Sequence, residues 1–227
     1  MFGDPVSNPK QEKIVKLSDI STKITDGVHA KPNYTEKGIP FISVKDITTG
    51  KLKFDNCKYI SEDDHNKYIR RCKPEFHDIL YTKVGATYGR PAIVDQSIDF
   101  SIYVSVALIK PQRGIVNPYY LKEAMAHPAI KRQADKSIKG IGVPDLHLNM
   151  IKNFILPLPD LVFQEKFAQI VLQIEKQKQL TQQSLQKSEE LFQSLLQKAF
   201  RGELVKYDLI KEQLSEAAEN DILYNTK

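Results

Sequence analysis

The chain reads as an α+β fold: a small, twisted, mostly antiparallel sheet domain with short helices, followed by a long helix of coiled-coil type. Three observations carry that expectation. Segments 39–44, 52–60, 79–84, 91–94 and 100–109 are rich in β-branched and aromatic residues and are bounded by Gly, Pro, Asp or Asn turns. Residues 161–201 run for 41 positions without a glycine or proline, and as a helix that run would rise roughly 60 Å, far more than one small globule needs to close its core. Charge divides at the same place: residues 1–160 hold 24 Lys+Arg against 18 Asp+Glu, whereas residues 161–227 hold 9 against 10.

Taken in order, the leader through Lys16 is polar, and Leu17-Ser18-Asp19-Ile20 opens the first ordered segment. The five strands follow. In the last of them Ile102, Val104, Val106 and Leu108 alternate with Tyr103, Ser105 and Ala107, the period of a half-buried strand. A short helix is expected after Ser61, whose hydroxyl can cap Glu62-Asp63-Asp64; acidic residues there favour the positive helix N-terminus. A second begins at Asn117-Pro118 and continues through Leu121, Ala124 and Met125, past Pro128, to Ile130. Leu156-Pro157-Leu158-Pro159-Asp160 separates globule from stalk, because a residue before proline is pushed toward extended geometry.

Along the stalk Val171, Lys178, Leu185, Phe192 and Ala199 recur every seven residues, with Phe167, Ile174, Thr181, Ser188 and Leu195 as the companion series. This is a heptad seam. Phe167, Val171, Ile174, Leu185, Phe192 and Leu195 are its apolar members, and Lys178, Thr181 and Ser188 make its middle weakest. Ten glutamines between Gln164 and Gln197 give the outer face a polar, nearly neutral character. Three parts result: a globule over 1–160, a spacer or dimerisation helix over 161–204, and a tail over 205–227 with a short helix expected over 208–219.

With 41% hydrophobic residues in 227, one ordinary core and an appended element are affordable, and disorder is excluded. No stretch approaches a membrane span, and Met1-Phe2-Gly3-Asp4-Pro5 lacks a signal-peptide pattern, so a cytoplasmic protein is expected. Cys57 and Cys72 have no neighbour at zinc-ligand spacing and read as reduced, structural thiols; neither a metal nor a cofactor is expected.

A basic globule on a neutral stalk suits a polyanion-binding module on a protein-binding rod. Three glycine-containing loops supply the candidate contacts. Thr82-Lys83-Val84-Gly85-Ala86-Thr87-Tyr88-Gly89-Arg90-Pro91 reads as a hairpin whose two glycines permit a tight reversal, projecting Lys83, Thr87, Tyr88 and Arg90 together. It lacks the lysine-serine/threonine pair of a phosphate-binding P-loop. Arginine can reach guanine O6 and N7, threonine the thymine methyl, and lysine a phosphate. His29, Lys31, Asn33 and Tyr34 lie in the second loop, 25–34; Lys139 lies in the third, 137–144, which Lys131, Arg132 and Lys136 precede. The pattern does not establish that the three face one way.

Catalysis finds no constellation. Asn117-Pro118-Tyr119-Tyr120 departs from the Asn-Pro-Pro-Tyr signature of amino-methyltransferases at its third residue, and no glycine-rich cofactor loop follows an upstream strand. The five histidines are scattered, and Glu62-Asp63-Asp64 is a helix first turn.

Several segments together resemble the DNA-specificity subunit of type I restriction-modification systems: Gly38-Ile39-Pro40-Phe41-Ile42 with Ile47 and Gly50-Lys51-Leu52; Asp78-Ile79-Leu80-Tyr81 leading into Gly85-Ala86-Thr87-Tyr88-Gly89-Arg90; Asn117-Pro118-Tyr119-Tyr120-Leu121; Ile155-Leu156-Pro157-Leu158-Pro159; and Leu196-Gln197-Lys198-Ala199-Phe200-Arg201-Gly202-Glu203-Leu204. Their order and spacing carry the resemblance, which covers 17–204. It implies a target recognition domain on a helical spacer, without catalysis of its own, that binds double-stranded DNA and positions methyltransferase and restriction subunits. Full-length members carry two such units with antiparallel long helices. One unit here implies a homodimer reading an inverted-repeat bipartite target. Pairing with a different half subunit stays open, because the first five residues resemble the junction before a second recognition domain. Gln164-Glu165 reverses the family's usual Glu-Gln order, which puts contacts of those two side chains in doubt. Two other readings remain: a protein-only helical adaptor with an incidental basic surface, and a degenerate methyltransferase, which would require S-adenosylmethionine binding.

Overall fold

The computed structural model describes residues 10–138 and 144–203. The described residues fall into two units that part after Val171. In chain order the elements are β1 (Lys13–Lys16), β2 (Ser21–Asp26), β3 (Tyr34–Thr35), β4 (Ile39–Ile42), β5 (Lys58–Ile60), α1 (Glu62–Tyr68), β6 (Ile79–Thr82), β7 (Pro91–Ile93), β8 (Ser101–Ile102), β9 (Val106–Pro111), α2 (Pro118–Ala126), α3 (Pro128–Ser137), α4 (Leu148–Lys152), β10 (Ile155–Leu158) and α5 (Leu161–Phe200).

Three small sheets form among the described residues. The central one, ordered β2-β9-β6-β7, is antiparallel throughout. A second, ordered β3-β5-β4-β8, is antiparallel except for the parallel pair β4 and β8. The third is the pair β1 and β10. Side chains alternate across a strand, and the central sheet uses both faces. Ile79, Tyr81, Ala107 and Ile109 pack with Leu121 and Met125 of α2, Ile130 of α3 and Ile151 of α4. Leu80, Val106 and Leu108 turn the other way, onto Ile42, Ile47, Phe100 and Ile102 around the second sheet. Each buried Leu or Ile contributes about 1.5–3 kcal/mol relative to exposure, so covering both faces is the favoured arrangement.

Two helix starts form as the sequence dictates. Ser61 Oγ accepts the Asp64 N–H at 3.2 Å, and Asn117 Oδ1 accepts the Tyr119 N–H at 2.9 Å. α5 is one continuous helix of 40 residues. It closes at Gly202, where the Glu203 N–H returns to the Lys198 carbonyl at 2.8 Å.

Several expectations are corrected. The segment 100–109 is not one half-buried strand: it divides into β8 and β9, which belong to different sheets, and β9 is buried on both faces because the second sheet covers the side expected to meet water. The segment 39–44 stops at Ile42 and continues as a 3-10 turn over Val44–Asp46, and of 52–60 only Lys58–Ile60 is strand. The helix expected to run past Pro128 breaks at His127, which is extended and whose ring accepts the Ala129 N–H at 3.2 Å; proline disfavours helical geometry in the residue before it. The polar leader contributes β1, and the expected separator contributes β10, its partner. β2 was not foreseen, since Ser21-Thr22-Lys23 face outward and only Ile24, Thr25 and Asp26 are buried. The expected tail helix over 208–219 lies outside the described residues.

Candidate nucleic-acid interface

Where β2 ends, Asp26 is buried, with its side chain only 5% exposed, and Arg71, Lys83 and the His29 imidazole converge on it. Arg71 Nη2 donates to Oδ1 at 2.7 Å, His29 Nε2 lies 3.2 Å from the same oxygen, and Lys83 Nζ is 3.6 Å from Oδ2. Gly27 follows, pressed so closely on the backbone at the end of β8 that a Cβ would sit 1.9 Å from the Ile102 carbonyl oxygen. Val28 donates to that carbonyl at 3.0 Å, and Val104 returns a bond to the Val28 carbonyl, also at 3.0 Å. The start of this loop is therefore clamped, while His29, Lys31, Asn33 and Tyr34 beyond it are exposed. The Tyr34 ring meets the edge of Phe41 at 6.0 Å and carries the Lys58 ammonium 4.0 Å above it. Burial, then the neighbouring Tyr103 and Tyr68 hydroxyls, raise the Tyr34 pKa, so the phenol stays a hydrogen-bond donor.

The loop over 82–91 is the expected hairpin between β6 and β7. Thr82 Oγ1 donates to the Thr87 carbonyl at 2.7 Å and accepts the Arg90 N–H at 2.8 Å, and Gly89 takes φ 86°, a backbone region glycine enters without strain. Thr87 and Arg90 are exposed. Tyr88 is tethered: its hydroxyl donates to Asp135 of α3, and Lys131, paired with the same carboxylate, lies 3.6 Å over its ring. Lys83 does not project with the others. Its side chain is 7% exposed and sits between Asp26 and Asp145, 3.6 and 3.5 Å away, because backbone bonds to Ser105 and Leu146 hold that position inside the sheet.

Lys83 joins the hairpin to the loop after β2 through Asp26, and Tyr88 joins its tip to α3, which carries exposed Lys136. The far side of the third loop is stitched on as well, by a bridge between Val84 and Asp145 and by the Gly85 N–H donating to the Pro144 carbonyl at 3.0 Å. The roots of the three loops form one interlocked edge. Lys139 lies outside the described residues.

Arg71 was not singled out in the sequence, and Gln164 only for its reversed order with Glu165. Arg71, in the turn after α1, left only a double-arginine signal at 70–71. Gln164 is fully buried in the first turns of α5: its Oε1 accepts the Asn117 N–H at 2.9 Å, while Nε2 donates to the Pro159 and Ile115 carbonyls at 2.7 and 3.3 Å. The residue whose contacts the reversed Gln-Glu order put in doubt is thus a tie between helix and domain. Phe167, assigned to the seam, is half-buried against its own domain's core, with its ring 6.1 Å from Tyr120. Val171 is half-buried, whereas Ile174, Leu185, Phe192 and Leu195 are 48%, 51%, 59% and 43% exposed.

The remaining titratable groups have structural surroundings. Cys57 and Cys72 are free and buried, and burial pushes the Cys72 thiol up to about 12, away from reactive thiolate chemistry. His65 Nδ1 lies 2.9 Å from Ser101 Oγ. Among the described residues no group of three or more His, Cys, Asp or Glu is placed to hold a metal, and no helix is long and apolar enough to cross a membrane.

The structure is a two-sided sheet domain whose chain continues into a long helix. The chain belongs to the type I restriction modification DNA specificity domain family, whose family model matches residues 9–190. It is 34% identical over 194 residues, 80% of its own length, to the type I restriction enzyme EcoBI specificity subunit of Escherichia coli, of which it covers 40%. Its fold is similar to that of the HsdS subunit from Thermoanaerobacter tengcongensis, with a TM-score of 0.56 at 16% identity, covering 84% of this chain and 49% of that one. It is also similar to a chain from a structural study of complex assembly and conformational transition of the type I R-M system, with a TM-score of 0.59 at 19% identity, covering 86% and 47%. The chain spans less than half the length of these relatives.

Proposed function

We propose that this chain is the sequence-reading component of a cytoplasmic type I restriction-modification complex, recognising one half of a bipartite double-stranded DNA target. It positions methyltransferase subunits there and, through them, restriction subunits, and it performs no chemistry itself. The observation that carries the reading is the interlocked edge. His29, Lys31, Asn33, Tyr34, Thr87, Arg90 and Lys136 are exposed on segments whose roots are bonded to one another, and preorganised donors lower the cost of docking on a duplex. Lys83 enters as a support for that edge, and Tyr88 as its tether. Lys139 remains a proposed contact on its sequence position. The exposed apolar series Ile174, Leu185, Phe192 and Leu195 supports pairing with a second helix, most simply that of another copy.

The test is binding by the assembled chain and methyltransferase subunit to a library of inverted-repeat duplexes. Sequence-selective binding that weakens steeply with salt is expected. Assembly without any selective binding would favour the protein-only adaptor instead.

A further inference from the structure

We infer that Arg71 is a base-reading arginine, its guanidinium fixed by the buried Asp26 carboxylate so that its outward edge donates to one guanine of the target. The inference rests on the DNA-recognition reading above and assigns a residue to it.

Both ends of Arg71 are fixed. Its carbonyl accepts Lys23 Nζ at 2.6 Å, its backbone N–H donates to the Tyr68 carbonyl at 3.2 Å, and its side chain is held by Asp26 at 2.7 Å while remaining 57% exposed. Asp26 cannot drift, because buried Lys83 holds its other oxygen and the Gly27 backbone is packed against Ile102. His29, an expected contact, shares the same carboxylate oxygen, so both donors stand together. They line a cavity of about 160 Å³ with Gly27, Lys67, Tyr68 and Cys72. Free small-molecule sites run from about 300 Å³ upward, so this one suits an edge of something larger.

Charge selects a base over a phosphate. Lys67 is paired with Asp64, and Lys83 with Asp26 and Asp145, so the cleft offers few uncompensated cations. A carboxylate 2.7 Å from the guanidinium offsets its pull on an anion and leaves its N–H directions intact. A planar fork with one side anchored matches guanine O6 and N7.

The assembled complex of this chain with its methyltransferase subunit is used first to define the wild-type target. Wild type, Arg71→Lys, Arg71→Met, Asp26→Asn and the double variant Asp26→Asn/Arg71→Lys are then measured on that target and on every single-base variant of the half-site, at two salt concentrations, with melting recorded for each. Arg71→Lys keeps the charge and loses the fork. The expected result is a fall of about 5- to 150-fold in the preference for guanine at one position, with other positions unchanged. Asp26→Asn lowers the same ratio and adds little on top of Arg71→Lys, which a merely structural Asp26 would not do. Where Asp26→Asn fails to fold, the two half-exposed Arg71 variants decide alone. Unchanged base preference in Arg71→Lys overturns the assignment. So does a loss in Arg71→Met that is uniform over all sequences with a salt slope smaller by about one, the mark of a phosphate contact. A wild-type complex that selects no sequence overturns the DNA reading itself; a selective wild type with an indifferent Arg71 overturns only this step.

Discussion

Gln164 joins the long helix to the domain that precedes it, and its removal tests that joint. Gln164→Ala strips one acceptor from the Asn117 N–H and one donor each from the Pro159 and Ile115 carbonyls, at 2.9, 2.7 and 3.3 Å. A buried N–H left without a partner costs about 1–3 kcal/mol, and each lost neutral hydrogen bond about 0.5–1.5 kcal/mol. Taken at the middle of each range, the sum is about 4 kcal/mol. For a chain of this size that corresponds to a fall of about 8–16 °C in melting temperature, readable by circular dichroism. Gln164→Glu sharpens the test. A carboxylate still accepts the Asn117 N–H but faces two carbonyl oxygens it cannot bond to, and burial raises its pKa above the unfolded value of about 4.3. Stability of that variant is retained below the unfolded pKa and lost as pH rises through the folded one, so it melts closer to wild type at pH 5 than at pH 8. A Gln164→Ala protein melting within about 2 °C of wild type would refute the assignment of Gln164 as a structural tie.

The two basic residues of the hairpin should behave oppositely. Lys83→Met removes the cation between Asp26 and Asp145 and destabilises by about 3 kcal/mol in a denaturant titration, whereas Arg90→Ala leaves stability within about 0.5 kcal/mol and weakens DNA binding; equal effects on both measurements would contradict the burial difference. Burial lowers the His65 pKa below 6.5, so the unfolded chain takes up the proton first and its contribution falls as pH drops below about 6.5. Melting should therefore decline from pH 7 to 5, less steeply in His65→Gln, and parallel curves would dismiss His65 as the source. Ile174→Asp with Leu185→Asp places two charges in the expected seam and converts a dimer to a monomer in light scattering; an unchanged dimer excludes this register.

Much of the local structure was legible because it depends on neighbours in the chain. Ser61 and Asn117 cap the helices they precede, the glycines at 85 and 89 turn the hairpin between β6 and β7, and the run free of glycine and proline is one helix. The candidate contacts His29, Lys31, Asn33, Thr87 and Arg90 were found by residue type and are all exposed. What failed was anything whose meaning lies in a distant partner. Lys83 and Arg90 read alike in the sequence, yet one is enclosed by Asp26 and Asp145 and the other is not.

By itself the sequence determined the α+β class, the division of charge between globule and stalk, the helix caps, the hairpin and the family resemblance, since periodicity, turn chemistry and composition act over a few residues at a time. Only the tertiary structure decided that β1 pairs with β10, that 100–109 is shared between two sheets, that Gln164 bonds residues 115 and 117, and that the three loops are rooted together. Burial and pairing are properties of two segments at once, and a carboxylate such as Asp26 acquires its role from the cations the fold brings to it.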